Sequence, residues 1–221
     1  MNAHSITIPR TAHYYTLGQA TSNTKYWWIA CHGYGQLAKR FIKKFEGMVD
    51  DQTFILAPEG LSRFYWPGLG GEPASSWMTR EDRLDEIADY SNYLQTLYDK
   101  YAAVLPNDVT IILMGFSQGV ATHFRWMMRA FPKYHHVIIW GGMIPEDLDY
   151  LPVQHYFQDK SLHFIYGTED QFLTEARLKA HQELIEKNQL ELHVQTFQGK
   201  HLVDRKVLEA LYAQLRSDTT I

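Results

Sequence analysis

The sequence predicts an α/β protein with a mainly parallel, twisted sheet and helices on both of its faces. Three observations support this prediction: short apolar runs alternate with helical patterns along the chain, some of these runs are apolar at every position, and Gly or Pro often follows them. Runs that are apolar throughout suit strands that are buried on both faces of a parallel sheet. A length of 221 residues is enough for one such domain and not for two, so we expect a single domain over residues 1–221.

The first part of the chain is expected to contain four strands and one helix. The segments SITIP and AHYYTL predict two short strands joined near Arg10, which would form an edge hairpin. The segment YWWIAC is the first fully apolar strand, and it ends at the turn HGYG, residues 32–35. The segment QLAKRFIKKFEGM carries apolar residues at helical spacing, and TFILAPEG is a further strand that Pro58 and Gly60 terminate.

The stretch that follows is aromatic and irregular. Residues 61–76 show no periodicity and contain three glycines, two prolines and several aromatic residues. Because loops of this length in compact domains are usually functional or mobile, we expect an aromatic-rich loop on the substrate side at about residues 58–79. A helix is then predicted over about residues 80–101, with Thr79 as its N-cap and Asp82 in a weak form of the capping box.

The second part of the chain alternates strands with helices. The segment VTIILMGF is the most hydrophobic strand, and VIIW, LHFIYG and LHVQTF predict three more. Helices are predicted directly after Ser117, over about residues 174–187, and over about residues 204–215. This alternation is typical of βαβ units in a parallel sheet.

The composition excludes several classes of function. A formal net charge of −4 offers no basic surface for a phosphate backbone, so we expect no nucleic-acid partner. The single cysteine, Cys31, cannot form an internal disulfide and is interpreted as a core residue, which fits a reducing compartment. The N-terminus lacks the pattern of a signal peptide, and no apolar run is long enough for a membrane span. We therefore expect a cytoplasmic protein, and the absence of metal-binding motifs predicts no catalytic metal.

A serine motif follows the most hydrophobic predicted strand. Residues 115–119, GFSQG, form a complete G-x-S-x-G with Ser117 at its centre. In this motif the serine lies on a strained turn between a strand and a helix, and small residues two positions to either side let the chain pass closely. The hydroxyl then points outward at the carboxyl end of the sheet, where ligands bind in open α/β folds. The sequence therefore predicts Ser117 as a nucleophile.

A serine nucleophile needs a base, and the base needs an acid that orients it. His201 follows the strand LHVQTF and directly precedes the last helix, which makes it the candidate base. Glu169 and Asp170 both follow the strand LHFIYG. We favour Asp170 because it lies three residues past Gly167 on the turn that leaves the strand, with Glu169 as the alternative and a helix-capping role as the non-catalytic interpretation.

An oxyanion hole requires backbone N–H groups that point at the developing negative charge. One is expected from Gln118, which follows the nucleophile at the start of its helix. The other is expected from Tyr34, in the turn after YWWIAC. Gly33 and Gly35 allow the backbone to approach a substrate closely, although a tight turn alone needs the same glycines. His32 is interpreted as a structural residue of this turn.

These motifs together resemble the phospholipase/carboxylesterase family, a group of α/β-hydrolases that includes acyl-protein thioesterases and small bacterial esterases. The resemblance implies an α/β-hydrolase fold without a separate cap domain. It also implies a cofactor-free, lysophospholipase-like carboxylesterase that acts on a small-molecule acyl ester or thioester, with Tyr34 and Gln118 as oxyanion donors. The resemblance spans about residues 27–215 and rests on four motifs: HGYG at 32–35, GFSQG at 115–119, GTED at 167–170 and GKH at 199–201.

The aromatic residues near the predicted catalytic edge are candidates for a substrate pocket. Phe64, Tyr65, Trp66 and Trp77 belong to the irregular stretch, which follows a strand and should rise at that edge. Trp140, at the end of the strand VIIW, is a further possible wall. The alternative is that these large side chains pack the loop onto the sheet, since aromatic residues anchor loops as readily as they bind ligands.

Three interpretations of the function stay open at the level of sequence. The first is an ester or thioester hydrolase that forms an acyl-enzyme. The second is an acyltransferase or perhydrolase that uses the same residues with an acceptor other than water. The third is a non-catalytic binding protein, against which the intact serine, histidine and acid argue. The sequence does not determine the oligomeric state, and a homodimer is compatible with it.

Overall fold

A central sheet with helices on both sides organises residues 1–218, the part of the chain that the computed structural model describes. The strands are β1 (Tyr14–Leu17), β2 (Tyr26–Cys31), β3 (Thr53–Pro58), β4 (Ser62–Trp66), β5 (Glu72–Ser76), β6 (Thr110–Phe116), β7 (His136–Trp140), β8 (Ser161–Gly167) and β9 (Leu192–Phe197). The α-helices are α1 (Ala38–Phe41), α2 (Arg83–Ala102), α3 (Gln118–Ala130), α4 (Glu175–Lys187) and α5 (Arg205–Asp218). Two 3₁₀ helices span Ile42–Met48 and Leu151–Tyr156.

The main sheet is mostly parallel, as the sequence predicts. Its seven strands follow the order β1-β3-β2-β6-β7-β8-β9. Only β1 runs antiparallel to its neighbour, and the other pairs are parallel. Strands β2, β3 and β6 are buried at every position, which explains why their sequences are apolar without alternation. The predicted fold class is confirmed.

Two hydrophobic clusters cover the opposite faces of the sheet. Successive side chains of a strand point to opposite faces of the sheet, so neighbouring residues of β2 belong to different clusters. Trp27 packs in the cluster that contains Phe124 of α3, and Trp28 packs in the cluster that contains Leu208 of α5. Both indoles are fully buried. The helices are therefore distributed on both faces, and the carboxyl ends of the parallel strands remain available for a site.

Three predictions about individual elements are wrong. The N-terminal hairpin is absent, because the segment SITIP forms no strand and β1 pairs with β3 instead. The helix expected from QLAKRFIKKFEGM is only α1 followed by a 3₁₀ helix. Helix α2 begins at Arg83, after an N-cap Asp82 in the left-handed conformation, and Thr79 is not its cap. The backbone N–H of Thr79 instead donates to the Glu86 carboxylate.

The stretch expected as an irregular loop contains an antiparallel hairpin. Strands β4 and β5 pair in a sheet of their own, with Ser62 opposite Ser76. Most of β4 and the first half of β5 are accessible to solvent. Neither strand therefore has one fully buried face, and the sequence lacks the alternation of apolar and polar residues that would predict a strand. Backbone bonds fix the hairpin to the turn after β2: Gly35 N–H donates to Ser75 O, and Ser75 N–H donates to Gln36 O, both at 3.0 Å.

None of the helices in the described part of the chain combines the length and the apolar character that crossing a bilayer requires.

Candidate active site

Ser117 occupies a strained turn between β6 and α3. Its φ of 53° and ψ of −114° lie outside the regions that non-glycine residues favour. The backbone N–H of Ser117 donates to the carbonyl oxygen of Trp140 at 2.9 Å, which ties the turn to the end of β7. Close backbone contacts surround it. A Cβ on Gly119 would lie 2.2 Å from the carbonyl oxygen of Cys31, and one on Gly115 would lie 2.4 Å from the N atom of Val120. The glycines of the motif are thus required by packing at the turn.

This packing predicts that Gly119→Ala destabilises the protein. The added methyl group would meet backbone atoms of Cys31 that cannot rotate away, so we expect the free energy of unfolding to fall by about 3 kcal/mol. Chemical denaturation followed by circular dichroism measures this change. Gly70→Ala is the matched control, because a Cβ at Gly70 meets no atom within 4 Å, and its effect should stay within about 0.5 kcal/mol. Equal stability of the two variants would contradict this account of the turn.

His201 and Asp170 form a close pair at the ends of β9 and β8. His201 Nδ1 donates to Asp170 Oδ2 at 2.6 Å, and Asp170 Oδ1 accepts the N–H of Phe172 at 2.9 Å. The imidazole is packed between two aromatic rings, with centroid distances of 4.8 Å to Phe116 and 4.7 Å to Phe172. Asp170 is buried, whereas Glu169 is exposed. The carboxylate that faces the imidazole is therefore that of Asp170.

Backbone hydrogen bonds hold the two loops of this pair together. The N–H of Glu169 donates to Gly199 O at 2.8 Å, and the N–H of Asp170 donates to Gly167 O at 3.1 Å. A Cβ on Gly167 would lie 2.2 Å from that same Gly199 oxygen, so the loops pass each other without room for a side chain. The side chains of Asp170 and His201 are thus positioned by main-chain contacts between neighbouring parallel strands.

The two backbone groups expected to bind an oxyanion are both unbonded. Among residues 1–218, neither the N–H of Tyr34 nor that of Gln118 donates to a protein acceptor. The side chain of Gln118 is held away from them, because its Oε1 accepts the N–H of Trp77 at 3.1 Å and its Nε2 donates to Met78 O at 2.8 Å. The turn at Tyr34 continues into Gly35, whose φ of +75° favours glycine.

His32 supports the turn beside these donors from within the core. Its Nδ1 donates to Gly33 O at 2.7 Å, and its Nε2 accepts the N–H of Gly60 at 3.0 Å. These two roles define a neutral imidazole with the proton on Nδ1. Burial lowers the pKa of His32 to about 4, which agrees with a neutral ring. His32 therefore has the structural role that the sequence suggests.

Buried histidines make stability depend on pH, and His32 and His123 are the two that are fully buried. Burial lowers the pKa of both His32 and His123 to about 4, whereas the unfolded chain titrates near 6.5. The unfolded state therefore binds more protons between these values, and stability falls as pH decreases from 7. At pH 5 we expect each residue to reduce the free energy of unfolding by about 2 kcal/mol relative to pH 7. Urea denaturation at the two pH values measures the change, and equal midpoints would contradict it.

Two of the five aromatic pocket candidates lie in the interior. Trp77 is 1% exposed, and its Nε1 donates to His32 O at 2.9 Å. Trp140 is fully buried, and its Nε1 donates to Leu202 O at 2.9 Å. Neither indole lines the cavity described below. We therefore correct the interpretation of both as pocket walls: the packing alternative holds for them, since each anchors a loop of the site.

The other three candidates lie on β4 of the surface hairpin. Phe64 and Trp66 contact the ring of Tyr34, with centroid distances of 5.2 and 5.7 Å, while Tyr65 is exposed. These three residues also lie outside the cavity lining. Phe64 and Trp66 thus form an aromatic cluster with Tyr34 that supports the turn carrying a candidate oxyanion donor.

A cavity of about 890 Å³ opens beside Ser117 and His201, which both line it. Its walls come from α3, from residues 141–147, from Phe172 and from one face of α4. Sequence reasoning missed these walls. The only signal was the spacing of Ser117, Ala121 and Arg125, which puts them on one side of α3. Within residues 1–218, no three His, Cys, Asp or Glu side chains are arranged to hold a metal ion.

The parallel sheet, the strained serine turn and the His201–Asp170 pair at the carboxyl ends of the strands define an α/β-hydrolase. Residues 19–218 match the family model described as phospholipase/carboxylesterase. The chain belongs to this family, as its motifs suggest, and the family supports an esterase- or thioesterase-type hydrolase. No curated protein matches the chain.

Solved structures resemble this fold at low sequence identity. Acyl-protein thioesterase 2 from Zea mays has a TM-score of 0.70 at 13% identity, covering 94% of this chain and 99% of that chain. A carboxylesterase from Mesorhizobium loti has a TM-score of 0.67 at 15% identity, with 91% and 94% covered. A phospholipase/carboxylesterase from Dyadobacter fermentans has a TM-score of 0.63 at 16% identity, with 92% and 97% covered. At these identities the likeness establishes the fold.

Proposed function

We propose that this protein is a serine hydrolase that cleaves a carboxylic ester or thioester through an acyl-enzyme, with Ser117 as nucleophile, His201 as general base and Asp170 as the orienting acid. The observation that carries the proposal is the 2.6 Å bond between His201 Nδ1 and Asp170 Oδ2, beside a serine on a strained turn at the same cavity. A carboxylate on Nδ1 keeps the proton there and leaves Nε2 free to accept one.

The reaction then proceeds in two halves. In the first half, Ser117 Oγ transfers its proton to His201 Nε2 and attacks the carbonyl carbon of the substrate. The negative charge on the carbonyl oxygen is stabilised by the N–H groups of Tyr34 and Gln118. The tetrahedral intermediate collapses, the bond to the alkoxide or thiolate breaks, and this leaving group receives the proton from His201. In the second half, water transfers a proton to His201 Nε2 while its oxygen attacks the acyl carbon; the bond from that carbon to Ser117 Oγ then breaks, Oγ receives the proton from His201, and the carboxylic acid leaves.

Asp170 contributes by position and charge. Its buried carboxylate fixes the ring of His201 and stabilises the imidazolium that forms during each half-reaction, without taking the proton itself. The Phe172 N–H that bonds its second oxygen fixes the orientation of the carboxylate. Glu169 is exposed, and the carboxylate that bonds the imidazole is that of Asp170, so Glu169 has no role in the reaction.

A panel of p-nitrophenyl esters of increasing acyl length, with a matching thioester, tests the proposed function. We expect turnover of at least the short esters, and the ratio of ester to thioester rates reports the preferred leaving group. Added alcohol or hydrogen peroxide separates hydrolysis from acyl transfer and perhydrolysis, because a transferase would form the alcohol ester or peracid as its main product. Absence of turnover together with absence of labelling of Ser117 by a fluorophosphonate would support a binding protein instead.

A further inference from the structure

The cavity beside Ser117 contains two guanidinium groups that share one carboxylate. Arg83 Nη2 donates to Asp147 Oδ2 at 2.8 Å, and Arg125 Nη2 donates to Asp147 Oδ1 at 2.9 Å. All three side chains line the cavity. Only 12% of the Arg125 side chain is exposed, so its charge is largely shielded from bulk water. Two cations with one anion leave one positive charge, and no other carboxylate in residues 1–217 forms an ion pair with either guanidinium.

The remaining partners of Arg125 are uncharged: the hydroxyl of the buried Tyr90 and the thioether of Met78. Its Nη1 contacts the thioether sulfur of Met78 at 3.3 Å, and a thioether is a poor hydrogen-bond acceptor. Glu146 also lines the cavity, but it is exposed and forms no ion pair within residues 1–218, so water screens its charge. The guanidinium of Arg125 therefore retains the capacity to bind a further oxygen anion from a ligand.

The net charge of the cavity lining is opposite in sign to the net charge of the whole protein. The chain as a whole has a formal net charge of −4. The cavity lining has four basic residues against three acidic ones, since α4 adds Arg177, Lys187 and Glu183 to the groups already named. Such a reversal in a concave site concentrates anionic ligands there.

The distance from the serine defines the kind of ligand. Ser117, Ala121 and Arg125 follow one another at four-residue spacing along one side of α3. With a rise of 1.5 Å per residue, the backbone of Arg125 lies about 12 Å along the helix axis from that of Ser117. The wall between them includes Ala121 and Met143, and Phe172 lies beside His201. Because a long side chain on a helix points back toward the N-terminus, the guanidinium lies nearer to Ser117 than the backbone does, and a ligand that reaches both groups needs a spacer of only a few carbon atoms.

We propose that the substrate is an anionic ester or thioester, whose terminal carboxylate binds Arg125 and Arg83 while its scissile carbonyl lies at Ser117. This inference rests on the proposed hydrolase function. A single carboxylate matches the one uncompensated positive charge, and the planar guanidinium suits a carboxylate better than it suits a neutral group.

Paired substrates test this proposal. The mono-p-nitrophenyl ester of adipic acid is compared with its methyl ester, which has the same chain without the charge. We expect the wild-type protein to prefer the anion by about 10- to 100-fold in kcat/KM, mostly through KM, and less at high salt. Arg125→Gln should remove this preference. Arg129→Gln is the matched control on the same helix, outside the cavity, and should retain it.

Two further measurements keep the test decisive if Arg125→Gln does not fold. Asp147→Asn removes the competing carboxylate and should increase the preference for the anionic ester by about 10-fold. The anion 4-acetoxybenzoate places the same charge in the alcohol half of the substrate, and its methyl ester is the uncharged control. A preference for the anion in either half supports the proposal.

The neutral ester p-nitrophenyl acetate distinguishes this proposal from the hydrolase function. Ser117-dependent turnover of p-nitrophenyl acetate, without any charge preference in the wild type or in Asp147→Asn, would overturn the anion site and leave the hydrolase function intact. Absence of turnover of every ester would overturn both.

Discussion

Ser117→Ala is expected to lower kcat for p-nitrophenyl acetate by about a million-fold, and the small remaining rate comes from substrate binding and the backbone donors alone. The reason is that the acyl-enzyme cannot form without the Oγ atom, so His201 and the backbone donors act on no nucleophile. Stability should change little, because the strain at this position lies in the backbone, with φ 53°. Initial rates of the purified variant beside the wild type measure the effect.

Ser161→Ala is the matched control for this variant. Ser161 is the first residue of β8, at the amino end of a parallel strand and therefore at the sheet edge opposite the site. Its removal should leave kcat unchanged. A Ser117→Ala variant that retains a substantial part of the wild-type rate, with a normal melting curve, would exclude Ser117 as the nucleophile.

Asp170→Asn is expected to lower kcat by about 10,000-fold. The amide is similar in size to the carboxylate, but it cannot hold the proton on His201 Nδ1 and stabilise the imidazolium at the same time. Asp170 Oδ2 lies 2.6 Å from that nitrogen, and the carboxylate is buried, so water cannot replace the interaction. The measurement is kcat at saturating ester for the folded variant.

Glu169→Gln is the matched control, since the same change of a neighbouring carboxylate to an amide affects an exposed residue. Its kcat should remain within about twofold of the wild-type value, as is usual for surface substitutions away from special features. If Glu169→Gln loses activity and Asp170→Asn keeps it, the acid of the mechanism is Glu169.

The features that the sequence predicts well are those that local signals encode. The strands β2 and β6 are apolar throughout because they are buried on both faces, and this pattern is visible without a structure. The strained turn at Ser117 is predictable because the motif requires small residues on both sides of a strand-to-helix turn. Asp170 and His201 follow strands, and parallel strands bring their carboxyl ends to one edge of the sheet.

The features that the sequence does not reveal depend on tertiary contacts. The β4–β5 hairpin has exposed strands that pair with each other, so no alternation marks it. Trp77 is an apolar residue next to an irregular stretch, and its contacts with His32 and Tyr90 show that it belongs to the core. The charged end of the cavity is assembled from α2, α3 and the loop before the second 3₁₀ helix, and no spacing relates Arg83 to Asp147.

The most direct test of the central claim is to trap the acyl-enzyme. The protein is mixed with a p-nitrophenyl ester, quenched in acid within the first turnovers, digested and analysed by mass spectrometry. The mechanism predicts that the acyl group is found on the peptide that contains Ser117, and that Asp170→Asn slows both its formation and its loss. Continued turnover with no acylated Ser117 peptide at any time, or an acyl group on another residue, would contradict it.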